Sequence, residues 1–203
     1  MTTRRLILVG GGHAHVHILA RAACAPLSKV ELILISPFAR HHYSGMVPGF
    51  LQGTYGEADL AFDLPALAAR AGARFIAAAA EGIDSTARTV HIGDERLDYD
   101  LLSLDVGSEP AGLATPGVRE NGWSIRPMSR AVALRQRAEE LFAAGRSRAV
   151  IVGGGAAGPE VALALERLAR QFHVQTGGAE PSVTIVEATP WILPEFSAPV
   201  RRI

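Results

Sequence analysis

Twice in this chain a short apolar run leads without interruption into three consecutive glycines: Leu6-Ile7-Leu8-Val9 into Gly10-Gly11-Gly12, and Ala149-Val150-Ile151-Val152 into Gly153-Gly154-Gly155. Each run has the length of a buried strand. Apolar residues at helical spacing follow each turn, Val16, Leu19, Ala20 and Ala23 after the first and Val161, Leu165, Leu168 and Phe172 after the second. A further apolar strand closes each set, Val30 to Ile35 and Val183 to Val186. Strands joined through a helix run parallel, because the crossover returns the chain to the same end of the sheet. The expectation is an α/β chain of three layers in which one strand-helix-strand unit is stated twice, the second incomplete within the 203 residues.

Between the two copies, Pro65 to Ala71 reads as a helix, and Ala73 to Leu104 alternates short apolar runs with turn residues at Gly82, Asp84-Ser85 and Gly93-Asp94, the pattern of a β-meander. Ala77 to Ala80 favour helix by propensity, but with Phe75-Ile76 before them and Gly82 after them they read as strand. Pro110 to Gly122 has the proline, glycine and polar content of a connector. Ser129 is placed to N-cap a helix reaching about Ala143, with Gly145 as its stop. These signals divide the chain into 1–110, a connector at 111–128 and 129–203. Arg201-Arg202 reads as a solvated helix start, and Trp123 and Trp191 as packing residues.

The glycine turns carry the chemistry. A dinucleotide's pyrophosphate needs close approach to the backbone, and glycine removes the Cβ that would obstruct it. The helix that begins just after the turn offers unpaired N–H groups and about half a positive charge. Gly153, Gly155 and Gly158 complete the Gly-x-Gly-x-x-Gly pattern between a strand and a helix, with Ala156 inside the turn. Glu187 ends the next strand, where a carboxylate can accept the hydroxyls of the adenosine ribose. The gap from Gly158 is longer than usual, and Gln175 to Ser182 reads as the insertion responsible. A 2'-phosphate about 4 Å from that carboxylate would be repelled by roughly 4 kcal/mol per charge pair at an effective dielectric near 20, so NADH is expected over NADPH. Glu160, in the first helical turn, either serves the helix dipole or reaches the nicotinamide side of the cofactor. The first copy keeps Gly10 and Gly12 but has His15 at the third glycine position and Ser36 where the acidic ribose ligand belongs. His15 implies either a wider helix-strand crossing or a side chain turned toward the ligand. Both copies thus read as Rossmann-like crooks, each cupping a diphosphate; either stretch folded otherwise, or plugged by its own bulky neighbours, would end that reading.

Composition excludes several alternatives. Twenty basic and twenty acidic residues leave no net charge with which to grip a nucleic acid backbone. No apolar run approaches the roughly 20 residues that span a bilayer. Three glycines and three histidines between Gly10 and His17 interrupt the segment that a signal peptide would keep apolar. The lone Cys24 permits neither an internal disulfide nor a dithiol redox pair, and reads as a buried, inert thiol. His13 and His17 are four apart, a spacing that can hold a metal with His41 and His42, but no metal is expected: His13 and His15 read more simply as neighbours of phosphate.

With both turns in hand, three further stretches carry a resemblance: Val9-Gly10-Gly11-Gly12-His13-Ala14-His15-Val16, Tyr43-Ser44-Gly45-Met46-Val47-Pro48-Gly49, and Leu97-Asp98-Tyr99-Asp100-Leu101-Leu102-Ser103-Leu104-Asp105-Val106-Gly107-Ser108. Over nearly its whole length the chain resembles the pyridine nucleotide-disulfide oxidoreductase superfamily, flavoproteins with two dinucleotide-binding folds. Within it the chain is most similar to the NADH dehydrogenase-like branch associated with selenide water dikinase. The resemblance implies FAD at the first crook, bounded by Gly10, Gly12, His13, Ala14 and His15, with Ser36 at the ribose, the Ala80 backbone at the adenine, and Ser44, Gly45 and Met46 near the isoalloxazine ring. Asp105, Val106 and Gly107 stand where relatives have Ala-Thr-Gly beneath the flavin. It implies NADH at Gly153, Gly155, Ala156, Gly158, Glu160 and Glu187, hydride transfer to flavin, and a quinone or other small electron acceptor. Relatives of this kind continue beyond Ile203, so the chain is expected to be the front part of such an enzyme. The resemblance also implies a cytoplasmic protein, peripheral to the inner face of the membrane when it acts on quinone, and leaves a homodimer open. A noncatalytic nucleotide-binding module remains the alternative.

Overall fold

A computed structural model describes residues 3–202. In chain order the first part comprises β1 (Arg4–Val9), α1 (His13–Cys24), β2 (Val30–Ile35), β3 (Arg40–His42), a 3-10 turn (Ser44–Met46), α2 (Val47–Leu51), α3 (Glu57–Leu60), β4 (Ala61–Asp63) and α4 (Leu64–Arg70). Five short strands follow, β5 (Arg74–Ile76), β6 (Gly82–Asp84), β7 (Thr89–Ile92), β8 (Glu95–Asp98) and β9 (Leu101–Leu104). The remainder is α5 (Val118–Asn121), α6 (Met128–Ala143), β10 (Arg148–Val152), α7 (Ala157–Thr176), β11 (Ser182–Val186) and a 3-10 turn at Val200–Arg202. Contacts gather these elements into two units, one of residues up to 43 with 61–108, the other of 44–60 with 109 onward.

The first unit is built on a parallel sheet of order β5-β2-β1-β9. Its central strands are apolar at consecutive positions because both sheet faces are covered, and alternate residues serve opposite faces. Leu8, Leu32 and Leu34 pack with Leu19 of α1 and with Leu64 and Ala68 of α4. Ile7, Val9, Ile33 and Ile35 pack on the other side with Val90 and Ile92 of the antiparallel β6-β7-β8 meander. Ile7, Leu8, Ile33, Leu34, Ile35 and Val90 are completely buried, and each contributes about 1.5–3 kcal/mol of transfer free energy. Three layers result, as the two-strand apolar pattern requires.

The second unit holds the parallel pair β10-β11, with Val161, Leu165 and Leu168 of α7 and Phe142 of α6 in its core. Val47, Phe50, Leu51 and Leu60 bury in the same cluster. Residues 44–60 therefore belong with this unit, whereas the sequence division placed them inside 1–110 and gave 111–128 a linker role. The other face of the β10-β11 pair is open: Val150 and Val152 are 64% and 85% exposed. The sequence reading of a fully buried second strand is corrected accordingly.

Other local expectations change too. Ala77–Ala80 is not a strand; β5 ends at Ile76, whose carbonyl accepts the N–H groups of Ser36 and Ala78, and the chain turns away into the meander. Helix α6 starts at Met128 with Pro127 at the cap position and no side-chain cap, so Ser129 lies inside the first turn. The connector contains the short α5. In α1 the buried positions are His15, Leu19 and Ala22, while Ala20 is exposed, and Cys24 is exposed rather than buried.

Arg135 of α6 fastens the 44–60 segment. Its Nη1 donates to the carbonyls of Phe50 (3.0 Å) and Tyr55 (2.9 Å), its Nε pairs with Glu139 (2.8 Å), and the guanidinium lies 4.8 Å from the centre of the Phe50 ring. Hydrogen bonds from a charged donor contribute about 1.5–3 kcal/mol each. Arg135→Met is expected to lower the free energy of unfolding by about 2 kcal/mol or more, measured by urea denaturation; an unchanged midpoint would show that the clasp is idle.

Two glycine crooks as candidate dinucleotide sites

In the second unit β10 continues one residue past its end, with the Gly153 N–H donating to the Val186 carbonyl at 2.8 Å. Gly153 then adopts φ +107°, a left-handed conformation open mainly to glycine, and turns the chain toward α7. A Cβ on Gly158 would collide with the Gly153 carbonyl oxygen, so the third glycine permits the close helix-strand crossing. A Cβ added at Gly153 or Gly155 meets nothing within 4 Å, which leaves the approach to the helix start open. Ala156 is the N-cap residue of α7 and makes no side-chain cap, and the exposed Glu160 is the acidic residue of the first turn.

Glu187 directly follows β11. Its Oε2 accepts the Gly154 N–H at 2.6 Å and its Oε1 accepts the Thr189 N–H at 3.0 Å. The Gly154 bond first, then the Thr189 bond, holds its carboxyl below the usual carboxylate range, so the group is an anion at neutral pH. Each oxygen has further lone-pair capacity for a ribose hydroxyl. An open depression lined by Leu163, Glu166, Arg167, Arg170, Gln171 and Val174 lies further along α7. Of its two arginines Arg170 is engaged by Glu166 and Glu180, and the hollow lies on the side of the helix, away from the unpaired amides of its N-terminus.

The first crook follows the same path with different side chains. Gly10 has φ +94° and donates to the Ile35 carbonyl at 2.8 Å. Strand β9 ends beside it, with the Asp105 N–H donating to Val9 O (2.8 Å) and the Gly12 N–H donating to Asp105 O (3.2 Å). A Cβ on Gly10 would strike the Asp105 backbone, and one on Gly12 would strike the Asp105 carboxylate. That carboxylate accepts the Ala14 N–H at 2.9 Å through Oδ2, so it stands over the N-terminus of α1. Sequence reasoning missed this contact, because it depends on β9 lying beside β1. Val106 and Gly107 beyond it are exposed, and Gly107 has φ +78°.

His15 is completely buried. Its Nδ1 donates to the Gly10 carbonyl at 2.6 Å and its Nε2 pairs with the Ser103 hydroxyl at 2.9 Å. The ring therefore fills the crossing that Gly158 closes in the other copy, and the assignment of His15 to cofactor contact is corrected: it is a strut. Ser36, also buried, uses its hydroxyl on Phe38, donating to the carbonyl at 3.0 Å and accepting the N–H at 3.2 Å. It closes a turn at the end of β2 rather than projecting toward a ribose. Ala80 is half-buried against the Val90 face of the sheet. Ser44 and Gly45 are exposed in the 3-10 turn, and Met46 packs on the core of the second unit.

Aromatic rings flank the first crook. His13, the first residue of α1, meets His41 and Tyr43 edge-on, with ring centres 4.8 and 4.9 Å apart, and Phe62 stacks on His41 at 6.3 Å. The buried Nε2 of His41 has no hydrogen-bond partner among the described residues. Burial first, then the neighbouring His13, lowers the His41 pKa from its ordinary 6.5, with Asp105 opposing. Among the described residues no group of three or more His, Cys, Asp or Glu side chains is arranged to hold a metal ion.

Two outcomes test these assignments. His15→Ala strands the Gly10 carbonyl and opens a cavity, and is expected to cost about 2–4 kcal/mol in urea unfolding. For His41, the folded state binds its proton less readily than the unfolded state, so its contribution to stability is complete above pH 6.5 and is lost as pH falls below that value. The melting temperature should drop between pH 7.5 and about pH 5.5, and His41→Gln should flatten that dependence; equal slopes in the two proteins would refute the assignment.

Comparison with known proteins agrees with this geometry. The family model described as pyridine nucleotide-disulphide oxidoreductase matches residues 4–203. A type II NADH:quinone oxidoreductase of Staphylococcus saprophyticus is 24% identical over 96% of this chain and 51% of its own. The protein of that name from Staphylococcus aureus strain NCTC 8325 is 22% identical with the same coverage. Among solved structures, NDH2 from Plasmodium falciparum in complex with NADH superposes with a TM-score of 0.85 at 16% identity, covering 98% of this chain and 45% of that one. The water-forming NADH oxidase from Lactobacillus brevis bound to NADH gives 0.77 at 20% identity, covering 98% and 43%. At these identities the structures speak for the fold, and the chain spans about half the length of the curated relatives it matches. By a match that runs from the first strand to the last residue, the chain belongs to the pyridine nucleotide-disulphide oxidoreductase family.

Proposed function

We propose that this chain is the FAD-holding and NADH-engaging part of an NADH-dependent flavin oxidoreductase that delivers electrons to a quinone or another small acceptor. The observation that carries the reading is the second crook: glycine at each position where a Cβ would obstruct either a diphosphate or the helix-strand crossing, and a carboxylate anion at the end of the adjacent strand. Gly153, Gly155, Ala156 and Gly158 offer the diphosphate surface, Glu187 the ribose acceptor, and Glu160 a polar group in the first turn of α7.

The first crook fits FAD in its backbone. Gly10, Gly12, His13 and Ala14 bring the start of α1 to the sheet edge, and the anion already at the Ala14 amide marks that position as one that favours negative charge. Ala80, the Ser44–Met46 turn, and the Asp105 to Gly107 return are the further segments assigned to the flavin nucleotide. Bound there, FAD supplies two-electron exchange with the nicotinamide; the protein positions and insulates it. The single cysteine means that no pair of protein thiols within this chain takes part.

A quinone acceptor is supported by the names of the curated relatives, and would bring a cytoplasmic enzyme to the inner face of a membrane. No helix among the described residues is long and apolar enough to cross one. The competing reading is a nucleotide-binding module without electron transfer. A visible spectrum of the purified chain, reconstituted with FAD, separates the two. A yellow protein bleached by NADH under anaerobic conditions supports the oxidoreductase. A chain that retains flavin without bleaching supports the module, and one that takes up no flavin overturns the assignment of the first crook. Glu187→Ala should narrow the preference for NADH over NADPH by about tenfold or more, since each 1.4 kcal/mol of lost discrimination is one factor of ten; an unaltered ratio would move the ribose ligand elsewhere.

A further inference from the structure

We propose that the Asp105 carboxylate is an internal competitor for the first crook, an anion that a dinucleotide's pyrophosphate must displace, and that it sets how tightly this crook holds a diphosphate. The inference rests on the reading of the first crook as a dinucleotide site.

Three observations lead to it. First, the start of α1 has no anion of its own: the N-cap is Gly12 and no acidic residue occupies the first turn. The dipole's demand for negative charge is met instead from 91 residues away, by Asp105 Oδ2 on the Ala14 N–H at 2.9 Å. Second, the carboxylate lies where the glycine pattern leaves space for a ligand, because a Cβ on Gly12 would run into its Cγ and both oxygens. Third, the backbone beneath it is pinned on both sides, by Asp105 N–H to Val9 O and by Gly12 N–H to Asp105 O. Only the Asp105 side chain can yield, by rotation about its own torsions.

The other crook shows that this arrangement is not a general consequence of the fold. There the carboxylate of Glu187 takes the Gly154 N–H, and an added Cβ at Gly155, the counterpart of Gly12, would meet nothing. The second crook is open where the first is filled. A carboxylate and a phosphate cannot share the Ala14 amide, since two anions within hydrogen-bond range of one donor repel each other and each loses its partner. Binding therefore includes the loss of the Asp105 cap, and affinity for the diphosphate is lowered by that amount.

The test is the affinity of the purified chain for FAD, by quenching of flavin fluorescence, in wild type, Asp105→Asn and Asp105→Ala, with riboflavin, which has no phosphate, as the control. Asp105→Asn keeps the size of the side chain and one amide oxygen that can still cap, so it guards against a failure of folding in the alanine variant. Both variants are expected to bind FAD about tenfold or more tightly than wild type, with riboflavin unchanged, and to melt at a lower temperature when free of flavin because α1 loses its anionic cap. If wild type binds FAD and the asparagine variant binds it equally or more weakly, the competitor role is overturned while the first crook stands as the FAD site. Equal tightening for riboflavin overturns it as well, because the effect would then owe nothing to phosphate. If none of the three proteins binds FAD, the dinucleotide reading of the crook falls, and the proposal with it.

Discussion

The parallel register of neighbouring strands governs everything at the candidate sites. Val9 of β1 is level with Ile35 of β2 and with Leu104 of β9, so the next residue of each strand, Gly10, Ser36 and Asp105, emerges along one edge of the sheet. In the second unit Val152 is level with Val186, which puts Gly153 beside Glu187 in the same way. Open α/β sheets bind ligands at the carboxyl ends of their strands because helix N-termini and strand-end side chains converge there. A slip of that register would scatter the groups that make each crook.

The two crooks share a backbone path and differ in how it is closed. Where Gly158 lets α7 approach until its own absent Cβ is the margin, His15 inserts a ring and replaces close contact with two hydrogen bonds, to Gly10 and Ser103. The first solution depends on an empty space, the second on a buried polar group whose partners must both be present. The carboxylates diverge as well. Glu187 directly follows β11, and Asp105 directly follows β9, the strand that returns beside β1. The notion that a crook plugged by its own neighbours would refute dinucleotide binding therefore needs refinement. The occupant of the first crook is a carboxylate on a rotatable side chain, and the attraction that holds it there is the one that a diphosphate would use.

Much of this was legible in the sequence because it is local. The strand-turn-helix plan follows from apolar runs and glycine spacing, the buried face of α7 from its periodicity at Val161, Leu165 and Leu168, and the position of Glu187 from its place directly after an apolar strand. What escaped notice is long-range. The contact of Asp105 with Ala14 required knowledge that β9 returns beside β1, and the inward turn of His15 depended on Ser103 of that same strand. The membership of 44–60 in the second unit is fixed by Val47, Phe50, Leu51 and Leu60, four apolar residues whose partners lie in α6, in α7 and among themselves and carry no mark in the local pattern. Ser36 looked available because serine is polar, but its hydroxyl is turned onto Phe38 two residues on, donating to the carbonyl and accepting the N–H.

Diphosphate binding by the backbone amides of both strand-end crooks would show in the amide NMR spectrum of the chain as ADP is added. The resonances of Gly12 to Ala14 and of Gly153 to Ala157 are expected to shift together with saturating dependence on ADP. Shifts confined to other surfaces, such as the charged outer face of α7, with both crooks silent, would rule that binding out.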